Sequence, residues 1–286
     1  MQIIHTEQAL RDALKAHNQI AFVPTMGNLH AGHLHLVKIA QTHAACVVVS
    51  IFVNPLQFGA NEDLANYPRT LEADCDKLAQ LGVDIVFVPN VHVIYPDFDG
   101  VDLHQSITVQ PPPIANILCG ASRPGHFAGV ATVVLKLFNM VQPTVAVFGQ
   151  KDFQQLFIIQ SMVRQFNLPI TIIAGETMRE PNGLAMSSRN GYLNFAEKAQ
   201  AVQLVRSLKA LVASVQLGHH EYEKLALHAT QQLMEQGWQV DYVTVRSAFT
   251  LLPPTSSETE LVVLAAAKLG KTRLIDNIQF CAKPLK

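Results

Sequence analysis

The sequence predicts a doubly wound α/β fold with a parallel sheet, followed by a smaller α+β domain. Apolar runs rich in β-branched residues recur at 19–25, 46–53, 83–89, 144–149 and 170–175, each continuous and not alternating. A strand covered by helices on both faces has no polar side, so continuous Val/Ile runs signal a parallel sheet. Helical patterns lie between these runs, as βαβ units require. The chain is also built to bury a core: of its 286 residues, 49% are hydrophobic and 15% charged. At this length single cores stop growing, and two unequal domains are expected.

Taken in order, residues 1–17 mix polar and apolar types without a long apolar run. The run at 19–25 is the first predicted strand and leads into PTMGNLHAGHLHL, where a helix is expected to begin. After the strand at 46–53 comes a long polar loop, NPLQFGANEDLANYPRT. Residues 70–82 predict a helix with Leu71, Cys75, Leu78 and Leu81 on one stripe, Thr70 as N-cap and Gly82 just past the end. Helical spacing returns at 129–141 and 152–166, and PPP at 111–113 reads as a short rigid turn. From Gly175 the texture changes: ETMREPNGLAMSSRNGYL is polar and aperiodic, which marks a linker and divides the chain into 1–175 and 176–286. Beyond it, helices are expected at 194–217 and 219–236, then strands in WQVDYVTVRS, ELVVLAAAKLG and KTRLIDNIQF.

Composition excludes several classes. A net charge of −1 and a pI of about 6.9, with no basic stripe, argue against nucleic acid as partner. Cys46, Cys75, Cys119 and Cys281 are scattered, with no CxxC pair, so neither a disulfide framework nor a thiolate zinc site is expected and a reducing cytoplasm fits best. No stretch approaches the roughly 18 unbroken apolar residues of a membrane span.

Three segments point to phosphate. In PTMGNLHAGH, at the carboxyl end of the first predicted strand, Gly27 and Gly32 allow close backbone approach, and the N–H groups of the following helix's first turn suit an anion. His30 and His33, three apart, share a helical face and could donate to phosphate oxygens or a leaving group, while His35 points elsewhere. An inert turn or a metal site competes, although no HExxH pattern completes the latter, and the G-x-G-x-x-G dinucleotide fingerprint is missing. In FGQKDFQQ, Lys151 would aim a point charge at the same sheet edge, Asp152 could cap a helix or take a ribose hydroxyl, and Gln155 lies a turn further on; a solvated Lys–Asp pair is the alternative. In MSSRN, Ser187, Ser188 and Arg189 could grip a triphosphate or simply face solvent. Asn54 and Gln57 are neutral amides suited to a small polar acid or to plain loop structure, and Arg123 and His126 could serve either structure or a carboxylate.

The segments PTMGNLHAGH, SIFVNPLQF, YPRT, ASRPGHFAGV, FGQKDFQQ and MSSRNGYL, in this order and spacing, closely resemble the pantothenate synthetase (pantoate-beta-alanine ligase) family, over nearly the whole chain. HxGH alone is shared by the wider nucleotidyltransferase group, so a nucleotidyltransferase acting on another small substrate stays open. The resemblance implies a Rossmann-like domain over 1–175 that binds ATP and pantoate, and a lid domain over 176–286. It implies ATP- and Mg2+-dependent ligation of pantoate and beta-alanine through a pantoyl-adenylate, in a homodimer. Met26, Gly27, Asn28, Leu29, His30, Ala31, Gly32 and His33 would line the ATP site, with His33 as proton donor. Gly149, Gln150, Lys151 and Asp152 would contact ribose and phosphates; Met178 and Met186 would border adenine; Ser187, Ser188 and Arg189 would hold the triphosphate. Gln57 and Gln155, together with Met26 and Asn54, would hold pantoate, and Asp74 would be an outer-shell partner of magnesium. Two positions depart from the family's usual pattern: Cys119 stands where an acidic residue is frequent, and Gln150 where Glu is common.

Overall fold

The computed structural model describes residues 1–59, 64 and 67–283, so the middle of the predicted long loop, at 60–63 and 65–66, lies outside the described residues. The chain divides into two compact units: Met1–Gln150 with Gln154–Glu176, and Lys151–Phe153 with Thr177–Lys286.

The first unit is a six-stranded parallel sheet with helices on both faces. Its elements are β1 (Gln2–Ile4), α1 (Glu7–Leu14), β2 (Ile20–Thr25), α2 (Ala31–Gln41), β3 (Cys46–Ile51), α3 (Leu71–Gln80), β4 (Ile85–Phe87), the short α4 (Val91–Ile94) and α5 (Cys119–Ser122), α6 (His126–Val141), β5 (Val145–Gly149), α7 (Phe153–Gln165) and β6 (Thr171–Gly175). Strand order is β1-β4-β3-β2-β5-β6. The continuous apolar runs resolve into two faces by the pleat. Phe22, Val48, Phe87, Ala146 and Phe148 enter one core with Leu10, Val134, Leu137 and Ile159. Their neighbours Ala21, Val23, Val47, Val49, Val86 and Val147 enter the other, with Val37, Cys75 and Leu78. β1 is the strand that the mixed N-terminal sequence concealed; it is three residues long, and only Ile4 is buried.

Strand order reverses between β2 and β5, the place where doubly wound sheets hold ligands. β2 stays paired with β3 as far as Thr25↔Ile51, and β5 with β6 as far as Gly149↔Gly175. β2 and β5 pair with each other only at Ala21↔Val145 and Phe22↔Ala146. Their carboxyl halves therefore run on without a shared ladder, each leading into one of the predicted phosphate segments.

Two details correct the sequence expectations for α3. Leu71, assigned to its apolar stripe, is 40% exposed, and a buried acid, Asp74, joins Cys75 and Leu78 on the inner face. Thr70 occupies the N-cap position without a side-chain capping bond, because its hydroxyl donates to Asp74 Oδ2 at 3.0 Å. α6 starts at His126, earlier than the expected 129, with Gly125 in the left-handed region at its cap (φ 79°).

The second unit packs α8 (Phe195–Gln216) and α9 (Tyr222–Glu235) on the antiparallel sheet β7 (Gln239–Ser247), β8 (Glu260–Leu269) and β9 (Thr272–Cys281). Asn194 and Glu197 form a reciprocal capping box that fixes where α8 begins. α9 begins at Tyr222, three residues beyond the expected start, with Gly218 (φ 103°) in the connection that precedes it. Leu208, Leu233, Trp238, Leu261 and Val263 are central in its core.

Candidate active site

The turn between β2 and α2 is triangulated from below by α3. Asp74 is fully buried, and its carboxylate accepts the backbone N–H of Asn28 (2.7 Å, Oδ2) and of Leu29 (2.8 Å, Oδ1), besides the Thr70 hydroxyl. Lys77 donates to the Leu29 carbonyl at 2.7 Å and lies 3.7 Å from Asp74 Oδ1, so the buried negative charge has a cation close by. Gly27 and Asn28 are both left-handed, with φ 81° and 50°. A Cβ on Gly27 would meet Ile51 Cγ2 at 3.1 Å and Asp74 Oδ2 at 3.2 Å, so glycine serves both conformation and space, while Asn is among the few larger residues that tolerate such a φ.

His30 caps α2 and His33 closes the cap. His30 Nδ1 accepts the Gly32 N–H at 3.1 Å, and His33 Nδ1 accepts the His30 N–H at 3.3 Å; the ring centroids lie 4.1 Å apart. Of the N–H groups at this helix start that the sequence offers to an anion, those of His30 and Gly32 are taken by imidazole nitrogens. A neutral ring that accepts at Nδ1 carries its proton on Nε2. Each imidazole so relays the helix's N-terminal polarity into an Nε2–H donor, and accepting a bond at one nitrogen strengthens donation at the other. His35 lies apart from this pair, its Nε2 3.6 Å from Glu176 Oε1.

Beside the turn, a buried amide network holds Gln57. Asn54 Nδ2 donates to Gln57 Oε1 and to the Gly129 carbonyl, both at 3.2 Å, and Asn54 Oδ1 accepts the Tyr95 hydroxyl at 2.5 Å and the Leu56 N–H at 3.3 Å. His126 Nδ1 contacts the Gln57 carbonyl at 2.9 Å, and Arg123 meets His126 Nε2 at 2.9 Å, so this pair serves structure. Gln57 Nε2 points to Met26 Sδ at 2.9 Å. Asn54 thus has its bonding capacity used inside the protein and acts on Gln57, in contrast to the direct substrate contact expected. Burial pushes the Tyr95 phenol pKa upward, keeping it a neutral donor. Close approach of α6 depends on Gly129, where a Cβ would lie 2.4 Å from the Leu56 carbonyl oxygen.

The β5 exit carries Gln150, Lys151 and Asp152 in a 3-10 turn, with Gln155 half-buried in the first turn of α7. Gln154, not singled out in the sequence, is 4% exposed: it accepts the Cys119 N–H at 3.1 Å and donates to the Ile114 and Ile117 carbonyls at 2.8 Å. Cys119 thereby contributes its backbone to this anchor. Cys46, buried in β3, has its thiol pKa pushed up to about 11 by desolvation and belongs to the core.

In the second unit, Lys151 has a side chain only 17% exposed, and its ammonium lies 4.0 Å from Asp152 Oδ2. Residues 177–190 form a strap: Met186 N–H bonds the Met178 carbonyl at 2.9 Å, Arg179 bridges to Ala185, and Ser187 caps the 3-10 turn Ser188–Tyr192, its hydroxyl accepting the Arg189 N–H at 3.2 Å. The expected adenine and triphosphate residues, Met178 and 186–189, therefore lie on one folded strap.

Among the described residues no group of three or more His, Cys, Asp or Glu side chains could hold a metal, and no helix is long and apolar enough to cross a membrane.

Comparisons with known proteins point to one family. The family described as Pantoate-beta-alanine ligase matches residues 2–279. A pantothenate synthetase of Methylobacillus flagellatus is 61% identical over 98% of this chain and 99% of its own length. Among solved structures, pantothenate synthetase from Thermus thermophilus aligns with a TM-score of 0.90 at 40% identity, covering 98% of this chain and 99% of that one. Pantoate-beta-alanine ligase from Francisella tularensis, complexed with beta-gamma ATP and beta-alanine, aligns at 0.80 and 34% identity over 98% and 97%.

Asp74→Ala should lower stability by about 3 kcal/mol or more, since two backbone N–H groups lose a charged buried acceptor. The urea midpoint measures it, and an unchanged midpoint would contradict the staple. Nitrogen-15 NMR of the imidazoles of His30 and His33 should report the Nε2–H tautomer in both neutral rings; Nδ1–H in either would refute the cap.

Proposed function

Because the chain belongs to the pantoate-beta-alanine ligase family, we propose that it joins pantoate to beta-alanine, converting ATP to AMP and pyrophosphate through a pantoyl-adenylate. The observation that carries this reading is the full-length match, over which the HxGH turn falls at the sheet's reversal point.

In the first step a pantoate carboxylate oxygen attacks the α-phosphorus and pyrophosphate leaves. In the second the amine of beta-alanine attacks the acyl carbon, the amide forms, a proton is lost and AMP departs. Bringing two anions together is the difficulty, so fixed donors around the phosphates supply most of the catalysis. In the first unit, Nε2–H of His30 and His33 serves the phosphates; the neutral His33 ring gives the leaving group a hydrogen bond and keeps its proton, in contrast to the proton donor expected. The turn formed by Met26, Gly27, Asn28, Leu29, Ala31 and Gly32 lies along the nucleotide, with Gly149 and Gln150. Gln57 and Gln155 orient pantoate, Met26 flanks it, and Asn54 acts by holding Gln57. In the second unit, Lys151 and Arg189 supply positive charge to the phosphates, Ser187 and Ser188 hydrogen bonds, Asp152 a ribose contact, and Met178 and Met186 apolar surface to adenine.

Among the described residues, the one assigned to magnesium does not fit the ion. Asp74, the one carboxylate assigned to that ion, already accepts two backbone N–H groups and a hydroxyl within a fully buried pocket. Mg2+ is better suited to arrive on the triphosphate, keeping most of its own waters. The reading further places the protein in the cytoplasm as a homodimer.

Incubation with ATP, magnesium, pantoate and beta-alanine should yield AMP and pyrophosphate only when both organic substrates are present for full turnover. ADP as product, or turnover independent of pantoate, would overturn the reading, and sustained turnover without any amine would mark a nucleotidyltransferase. Lys151→Ala should slow adenylate formation by roughly a hundredfold, the scale for losing one preorganised donor to developing charge. A native rate would remove Lys151 from the mechanism.

A further inference from the structure

Lys151 belongs by its contacts to the second unit, although it follows β5 of the first by only two residues. Its main chain is held there by β9. Asn277 Nδ2 donates to the Lys151 carbonyl at 2.9 Å, and Asn277 is only 7% exposed. The preceding residue, Asp276, is 4% exposed and takes Arg179 in a two-point ion pair, NH1 to Oδ2 at 2.7 Å and NH2 to Oδ1 at 2.9 Å. Arg179 NH1 also donates to the Gly183 carbonyl at 3.1 Å, and Asp276 Oδ1 accepts the Asn277 N–H at 2.8 Å.

Successive side chains on a strand leave opposite faces. Asp276 therefore reaches the strap that ends in Ser187, Ser188 and Arg189, while Asn277 reaches Lys151. The strand that carries both is rigid: it is paired along its full length with β8, Asp276 opposite Ala265 and Asn277 opposite Leu264. A planar two-point ion pair and a buried amide are the interactions that fix orientation as well as distance. Leu274, Phe280 and apolar residues of β8 supply packing in the core of this unit, to which these polar contacts add a fixed orientation.

We propose that Asn277 is a positioning residue for the ligation, holding Lys151 in fixed relation to the Arg179–Asp276 strap so that its ammonium is aimed at the phosphates. The inference rests on the assignment of Lys151 to phosphate stabilisation. Loss of the bond leaves Lys151 in place chemically but free to wander, and misplacement by about an ångström is enough to cost one to two orders of magnitude in rate.

The test is a double-mutant cycle read in single-turnover formation of pantoyl-adenylate from ATP, magnesium and pantoate. Asn277→Ala should slow this step about tenfold. In a Lys151→Ala background the same substitution should cost less than about twofold, since a positioning residue has nothing left to position. Asn277→Asp, which keeps the volume and replaces the donor with an acceptor facing the carbonyl, is run in parallel, with thermal melting followed for every variant. It should show the same tenfold loss and the same non-additivity. Additive losses, or an Asn277→Ala rate within twofold of native, would overturn the proposal while leaving the role of Lys151 standing. A native rate for Lys151→Ala alone would instead overturn that role, and the proposal with it.

Discussion

A carboxylate without access to water, that of Asp74, accepts the N–H groups of Asn28 and Leu29 and so dictates how the chain leaves β2 and enters α2. The histidine arrangement follows from it. Once the turn is held with Gly27 and Asn28 left-handed, His30 falls at the N-cap and His33 one turn on, where each imidazole takes a main-chain N–H at Nδ1. Two residues usually read as charged phosphate ligands are thereby set up as neutral, oriented donors. A neutral imidazole at a helix N-terminus polarises an anionic group without adding a charge that must be desolvated. Lys77 completes the arrangement from the same helix as Asp74, so a helix carrying no direct contact to the proposed nucleotide determines the geometry of those that do.

Much of the fold was legible because the parallel sheet leaves an unmistakable trace. Runs such as CVVVSI are buried at every position, and only a strand packed on both faces permits that. The helical pattern placed the start of α8 within a residue, where the Asn194–Glu197 box lies, but set the start of α9 three residues early. The misses have local causes. β1 is too short and too exposed for periodicity to register, and the start of α6 is obscured because RPGHF reads as a turn until His126 is seen to be buried at its head.

The site was legible in composition but not in division of labour. Spacing placed His30 and His33 on one face, yet could not say that their Nδ1 atoms serve the backbone. Asn54 looked like a substrate amide, but a single buried amide with four internal bonds has no capacity to spare, and its hydrogen bond from Tyr95 joins residues 41 apart in sequence. Asp74 and Gln154 carry a signal that was available: each is a polar residue lying on the apolar stripe of its helix, where burial demands a specific partner. Asn277 carries no such signal, because its partner is a main-chain carbonyl on a distant segment.

The central claim is that a small acid attacks the α-phosphorus of ATP held beside this turn. Pantoate carrying oxygen-18 in its carboxylate tests it most directly. After one turnover with beta-alanine, mass spectrometry should find one labelled oxygen in the phosphate of AMP and the other in the new amide. Label in pyrophosphate or orthophosphate, with none in AMP, would contradict the account.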